Sequence, residues 1–93
     1  MTREEYIDRH SAMFWYTPKD KKKDISDKLL VETILNYGSM DDVRQLFTLM
    51  GMENVAKVFF SAKGREINNY YPEIRNFFTL VFNHYVPQAS SKQ

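Results

Sequence analysis

Apolar side chains recur at helical spacing in five stretches of this chain, with polar residues and glycines between them. The first three stretches predict helices over about 3–12, 27–37 and 40–50, and the last two predict helices over about 53–63 and 72–86. No stretch alternates between apolar and polar residues as a half-buried strand would. The pattern therefore predicts an all-α domain, a compact bundle of four to five short helices.

Polar residues and glycines mark where these helices begin and end. Thr2 and Glu5 have the spacing of a capping box. Ser26 and Ser39 each precede an apolar stripe as N-cap residues, and Gly38 suits the left-handed position that often follows a helix.

The last predicted helix carries the widest apolar stripe. The stripe consists of Ile74, Phe77, Phe78, Val81, Phe82 and Tyr85. We expect this helix to be central in the bundle. Residues 1–87 then form a single helical domain, and 88–93 are predicted to be a disordered polar tail.

Composition and charge exclude several classes of function. The chain has no cysteine, which excludes disulfides, thiolate zinc sites and cysteine nucleophiles. The net charge of +1 is far from the basic balance that non-specific nucleic-acid binding needs. No apolar run is long enough to span a membrane, and residues 1–15 lack the apolar segment of a signal peptide. We expect a cytoplasmic protein without a membrane partner.

The titratable residues do not form a recognisable catalytic or metal-binding pattern. His10 and His84 are far apart and belong to no ligand-spaced motif. Asp41 and Asp42 lie in the first turn of a predicted helix, where a carboxylate favours the helix dipole. The glycines follow helices, whereas a phosphate loop needs them clustered before one. We therefore expect no enzyme, no metal and no cofactor.

The segment FWYTPKDKKK, residues 14–23, allows more than one interpretation. In the first, Phe14 is buried and Trp15 lies at the seam between the N-terminal helix and the remaining helices. In the second, exposed aromatic residues form a patch for a protein partner, where tyrosine and tryptophan are favoured. The candidate partner-binding residues are Trp15, Tyr16, Tyr70 and Tyr71.

A third interpretation is that the basic residues bind nucleic acid. The candidates are Lys19, Lys21, Lys22, Lys23, Arg65 and Arg75. Asp20 and Asp24 dilute the lysines, which is typical of a solvated loop. The helix–glycine–helix segment 40–60 is a poor helix-turn-helix, because Phe47 stands where the two helices of that motif need a small residue.

The order of aromatic and capping residues resembles a known family. The matching segments are Phe14-Trp15, Leu29–Leu35, Tyr37-Gly38, Asp41–Phe47, Val55–Phe59 and Arg75–Phe78. Together they resemble a small bacterial all-helical family of unknown function, whose genes often lie beside nucleotidyltransferase-type toxins of abortive-infection systems. The resemblance covers about residues 13–86. It implies a component of a toxin–antitoxin or phage-defence locus, most simply the partner of a toxin.

These observations favour a non-enzymatic protein-interaction module, with an antitoxin or accessory subunit as its more specific form. Self-association as a homodimer is a variant, because small aromatic-rich domains often complete their cores by dimerising. The alternative is a small nucleic-acid-binding regulator that uses the Lys19–Lys23 loop with Arg65 and Arg75.

Overall fold

The computed structural model describes residues 2–14 and 24–86, and for Glu66 the backbone alone. These residues form five α-helices with short 3₁₀ helices between them, and they contain no strand. The elements are α1 (Arg3–Arg9), the N-terminal 3₁₀ helix (Ser11–Phe14), α2 (Asp27–Tyr37), α3 (Met40–Met50), α4 (Met52–Phe60), the α4–α5 3₁₀ helix (Gly64–Asn69) and α5 (Pro72–Tyr85). The predicted all-α bundle is confirmed, and the predicted tail 88–93 lies outside the described residues.

Helix α1 begins where the capping box places it and ends earlier than predicted. The Thr2 hydroxyl accepts from the backbone N–H of Glu5 at 3.1 Å, and the Glu5 carboxylate accepts from the backbone N–H of Thr2. His10 departs from helical geometry, with φ −108° and ψ 26°, so that α1 ends at Arg9. The N-terminal 3₁₀ helix continues the chain to Phe14, which is fully buried as predicted.

Helix α2 is the central helix of the bundle. Its five buried residues are Leu30, Val31, Thr33, Ile34 and Leu35. It packs against both α3 and α4. Helix α5 buries only Phe78 and Phe82. The expectation that the last helix is central is therefore wrong, because a helix at the edge of a bundle buries only the part of its stripe that faces the core.

Short joints connect α2, α3 and α4. Gly38 has an extended backbone, with φ −77° and ψ 161°, so the prediction of a left-handed helix end is wrong at this position. Glycine is needed there for space, since an added Cβ would lie 2.7 Å from the carbonyl oxygen of Ile34. Gly51 does have a positive φ, 86°, which favours glycine, and it alone separates α3 from α4.

Aromatic rings hold α5 and the α4–α5 3₁₀ helix against α4. The ring centroid of Phe59 lies 4.9 Å from that of Tyr70 and 5.2 Å from that of Phe82, and both pairs meet edge to face. Phe82 also stacks on Phe78 at 5.7 Å. Each such pair adds about 0.5–1.5 kcal/mol beyond the area it buries. Phe59 is thus the point where three consecutive elements meet.

Candidate functional site

Helix α5 presents three large apolar side chains to solvent, Phe77, Leu80 and Tyr85, and the first two define what we call its outer face. These three residues are 46%, 71% and 66% exposed. Phe77 and Leu80 lie one turn apart and are neighbours on the helix surface. Residues 76–86 contain no Asp, Glu, Lys or Arg. The outer face is therefore apolar and without formal charge, although the sequence pattern placed Phe77 and Tyr85 in the buried stripe.

Adjacent tyrosines before α5 have opposite environments. Tyr71 is 47% exposed, whereas Tyr70 is only 4% exposed. The expectation that Tyr70 belongs to an exposed patch is wrong, because its ring packs on Phe59 in the core. The Tyr71 hydroxyl donates to the Tyr37 hydroxyl at 3.0 Å, and this hydrogen bond raises the pKa of Tyr71 above its ordinary value. Tyr71 and Tyr37 thus form an exposed aromatic pair, with ring centroids 5.6 Å apart.

Asn36 fixes the chain that leads into α5. Its Nδ2 donates to the carbonyl oxygen of Asn69 at 2.7 Å, and its Oδ1 accepts from the backbone N–H of Tyr71 at 3.1 Å. Both ends of the amide are therefore engaged with the segment that follows the α4–α5 3₁₀ helix. This contact brings the exposed tyrosine pair and the end of α2 together.

A groove runs along α2 beside the same contact. We name it the α2 groove, and it has a volume of about 320 Å³. Its lining residues are Leu29, Glu32, Thr33, Asn36, Tyr37 and Asn69. Asn69 Nδ2 donates to the Glu32 carboxylate at 3.2 Å, across the groove from one element to the other. Glu32 is the only residue of this lining with an ionisable carboxylate, so the groove is acidic.

A second polar cluster joins α1 to the start of α3. His10 is buried, its Nδ1 lies 2.8 Å from the carbonyl oxygen of Tyr6, and its Nε2 lies 2.8 Å from the Asp42 carboxylate. Both imidazole nitrogens therefore face an acceptor, since a carbonyl oxygen and an ionised carboxylate only accept hydrogen bonds. The Tyr6 hydroxyl donates to the carbonyl oxygen of Asp42 at 2.7 Å.

The charges of this cluster have identifiable causes. The backbone N–H of Ser39 and the His10 imidazole hold the pKa of Asp42 below its ordinary value. Burial raises the pKa of the Tyr6 phenol, and the negative charge of Asp42 adds to the increase. Asp42 also forms a capping box with the predicted N-cap Ser39, since its carboxylate accepts from the backbone N–H of Ser39 at 2.8 Å. The His10 imidazole and the Asp42 carboxylate thus form a structural contact in which both imidazole nitrogens are occupied.

Only some of the candidate residues named from the sequence lie within the described part of the chain. Trp15, Tyr16, Lys19, Lys21, Lys22 and Lys23 all lie outside the described residues. Arg65 is exposed on the α4–α5 3₁₀ helix, and Arg75 is half-buried in the second turn of α5. Neither arginine forms an ion pair with a side chain that the structure describes. Of the four aromatic candidates, Tyr71 is the one that the structure places on the surface.

Two features of the site were missed in the sequence. The outer face of α5 had a signal that could have revealed it, namely the eleven uncharged residues from 76 to 86. The α2 groove had none, because Glu32 and Asn69 are separated by 37 positions and meet only through the fold.

No cluster of three metal-ligating side chains occurs among the described residues. None of the helices in the same part of the chain combines the length and the apolar character needed to cross a bilayer. Comparison of the chain with protein-family models, with curated proteins and with solved structures gives no match. Its function must therefore be inferred from its own residues.

Proposed function

We propose that this chain is a non-enzymatic protein-interaction module that binds a partner protein through the outer face of α5. The observation that carries the proposal is the combination of three exposed large apolar side chains with a helix segment free of formal charge. The centres of protein interfaces are depleted in charge and enriched in aromatic residues. A monomer gains nothing from exposing Phe77, Leu80 and Tyr85 together, whereas an interface does.

The spacing on α5 supports a helix-in-groove mode of binding. Phe77 and Leu80 stand at i and i+3, and His84 follows at i+7 on the same side of the helix. Helix α5 contains 14 residues and is therefore about 21 Å long. We expect Phe77 and Leu80 to be the anchors, because side chains buried at the centre of an interface contribute most of the binding energy.

The more specific form of the proposal is an antitoxin or accessory component of a bacterial toxin–antitoxin or phage-defence locus. It is supported by the resemblance of the chain's aromatic and capping pattern to the toxin-associated family. The partner would then be a toxin encoded nearby, and Tyr71 and Tyr37 would border the contact.

The test is capture of a partner by the wild-type chain and by surface variants. The variant Phe77→Glu with Leu80→Glu places two charges on the outer face of α5. Met40→Glu is the matched control, since Met40 is also a large exposed apolar residue but lies in the first turn of α3. The chain is immobilised and exposed first to the product of the neighbouring gene and then to a cell extract.

The proposal expects one discrete protein that binds the wild type and Met40→Glu and does not bind the double variant. Equal binding by all three chains would overturn the assignment to α5. A mass that doubles with concentration in light scattering and returns to the monomer in the double variant would identify a second copy as the partner. A salt-dependent shift with DNA or RNA, without protein capture, would instead support the nucleic-acid alternative.

A further inference from the structure

We propose that the α2 groove binds the guanidinium group of an arginine side chain in a protein segment. This inference rests on the proposed function in one respect, which is that the arginine belongs to a partner protein. The groove of about 320 Å³ is at the lower end of the range of ligand pockets, roughly 300–1,000 Å³, which suits one side chain better than a large ligand.

The carboxylate of Glu32 supplies the formal charge of the groove lining. Asn69 Nδ2 occupies one lone pair of the Glu32 carboxylate, and no other hydrogen bond or ion pair reaches that carboxylate from the rest of the described chain. Asn69 Nδ2 keeps a second N–H, and no hydrogen bond from the described residues reaches its Oδ1, which can accept. Asn36 already holds the chain before α5 with both ends of its amide and keeps one further N–H and one lone pair. The carboxylate of Glu32 therefore decides the preference, and it favours a ligand that brings a positive charge and hydrogen-bond donors.

The aromatic pair selects the type of cation. Tyr37 lines the groove, is exposed, and is held by the Tyr71 hydroxyl at 3.0 Å. A planar guanidinium can lie on an aromatic ring while its N–H groups pair with a carboxylate, whereas an ammonium acts as a compact point charge. A groove with one carboxylate beside one open tyrosine ring therefore fits arginine better than lysine. The groove is open to solvent, so an arginine side chain can enter it from a partner protein.

The experiment is a titration of the ¹⁵N-labelled full chain, followed by NMR. The probe is the tripeptide acetyl-glycyl-arginyl-glycine amide, and the matched peptides contain lysine or the neutral isostere citrulline. Ethylguanidinium tests whether the free group suffices without a peptide. The side-chain NH₂ signals of Asn36 and Asn69 report directly on the groove.

We expect saturable shifts of these signals with the arginine peptide, weaker shifts with the lysine peptide, and none with the citrulline peptide. Ethylguanidinium should bind at the same signals but more weakly than the peptide. Glu32→Gln keeps an oxygen for Asn69 but removes the charge, and it should weaken arginine binding about tenfold or more. The matched control is Glu53→Gln, an exposed carboxylate on α4, which should leave binding unchanged.

Equal shifts with arginine and citrulline peptides, or the absence of saturable shifts, would overturn the assignment. If free ethylguanidinium binds as tightly as the peptide, the ligand is a small guanidinium compound and not a protein segment. Tyr37→Leu, which retains an apolar side chain at an exposed position, provides a second test that does not depend on Glu32 and should also weaken binding. The double variant of Phe77 and Leu80 should bind the arginine peptide normally, which separates this inference from the proposed function.

Discussion

Replacement of Asp42 by alanine tests the contact that joins α1 to α3. One carboxylate oxygen accepts from the imidazole of His10 at 2.8 Å, and the other accepts from the backbone N–H of Ser39 at 2.8 Å. The substitution removes both acceptors and leaves a buried imidazole without a partner at Nε2. The bond from the Tyr6 hydroxyl remains, because it goes to the backbone carbonyl of residue 42.

The expected cost follows from these two bonds. A hydrogen bond to a charged group contributes about 1.5–3 kcal/mol, and a helix N-cap interaction contributes about 0.5–2 kcal/mol. The Asp42 carboxylate is partly open to solvent, and screening favours the lower part of each range. We expect Asp42→Ala to lower the free energy of unfolding by about 2–4 kcal/mol. For a domain of this size that corresponds to a fall in Tm of at least about 8 °C.

The same contact predicts how the cost of Asp42→Ala depends on pH. The folded pKa of Asp42 is lowered, so the carboxylate stabilises the fold fully above its unfolded pKa of about 3.9. This contribution is lost as the pH falls through the folded pKa, because the protonated acid no longer has the negative charge that strengthens these two hydrogen bonds. The difference in stability between wild type and Asp42→Ala should therefore be large at neutral pH and should shrink below about pH 4.

Urea denaturation followed by far-UV circular dichroism measures both predictions, provided that the dependence of stability on urea is the same for each chain. Asp41→Ala is the control, because Asp41 is an exposed carboxylate in the same helical turn, and its one ion pair among the described residues is with Arg44 at 3.4 Å. It should change stability by about 0.5 kcal/mol or less. A cost below about 1 kcal/mol for Asp42→Ala, or a cost that is unchanged between pH 7 and pH 3, would show that the Asp42 carboxylate does not stabilise this contact.

Two further substitutions test the packing. Gly38→Ala should cost about 1–3 kcal/mol, because its Cβ would lie 2.7 Å from the carbonyl oxygen of Ile34; a change within 0.5 kcal/mol in urea denaturation would contradict this. Phe82→Ala should cost about 3–5 kcal/mol, since Phe82 is fully buried against Phe59. Phe77→Ala, on the outer face of the same helix, should cost about 1 kcal/mol or less. Similar losses of stability for Phe82→Ala and Phe77→Ala would contradict the placement of Phe82 in the core and Phe77 at the surface.

Helix starts could be predicted because their signals are local. Thr2, Ser26 and Ser39 are each the N-cap of the helix that their side chains predict, and each hydroxyl accepts a backbone N–H three positions later. A serine or threonine before an apolar stripe offers the same hydrogen bond in any fold. Helix ends were less predictable: α4 ends at Phe60, although the pattern extends to residue 63.

The environment of each aromatic residue could not be predicted, because it depends on contacts between distant segments. Tyr70 and Tyr71 are equivalent in sequence terms, yet the contact with Phe59 buries one of them and leaves the other exposed. The apolar stripe of α5 likewise does not indicate which of its side chains pack against other helices of the chain. For this reason the candidate site could be predicted as an aromatic surface but not as a set of residues.

The short joints between α2, α3 and α4 also predict the order in which the helices form during folding. Helices α2, α3 and α4 pack against one another across very short joints, and contacts of such short sequence separation form quickly. The hydrogen bonds from His10 and Tyr6 to Asp42 span 32 and 36 positions. They close a long loop of chain, and they can form only after the first turn of α3 has formed. Helices α2 to α4 should therefore form the folding nucleus, with α1 docking late and opening first. Faster amide exchange in Arg3–Arg9 than in Asp27–Tyr37 would confirm this order, and equal protection would contradict it.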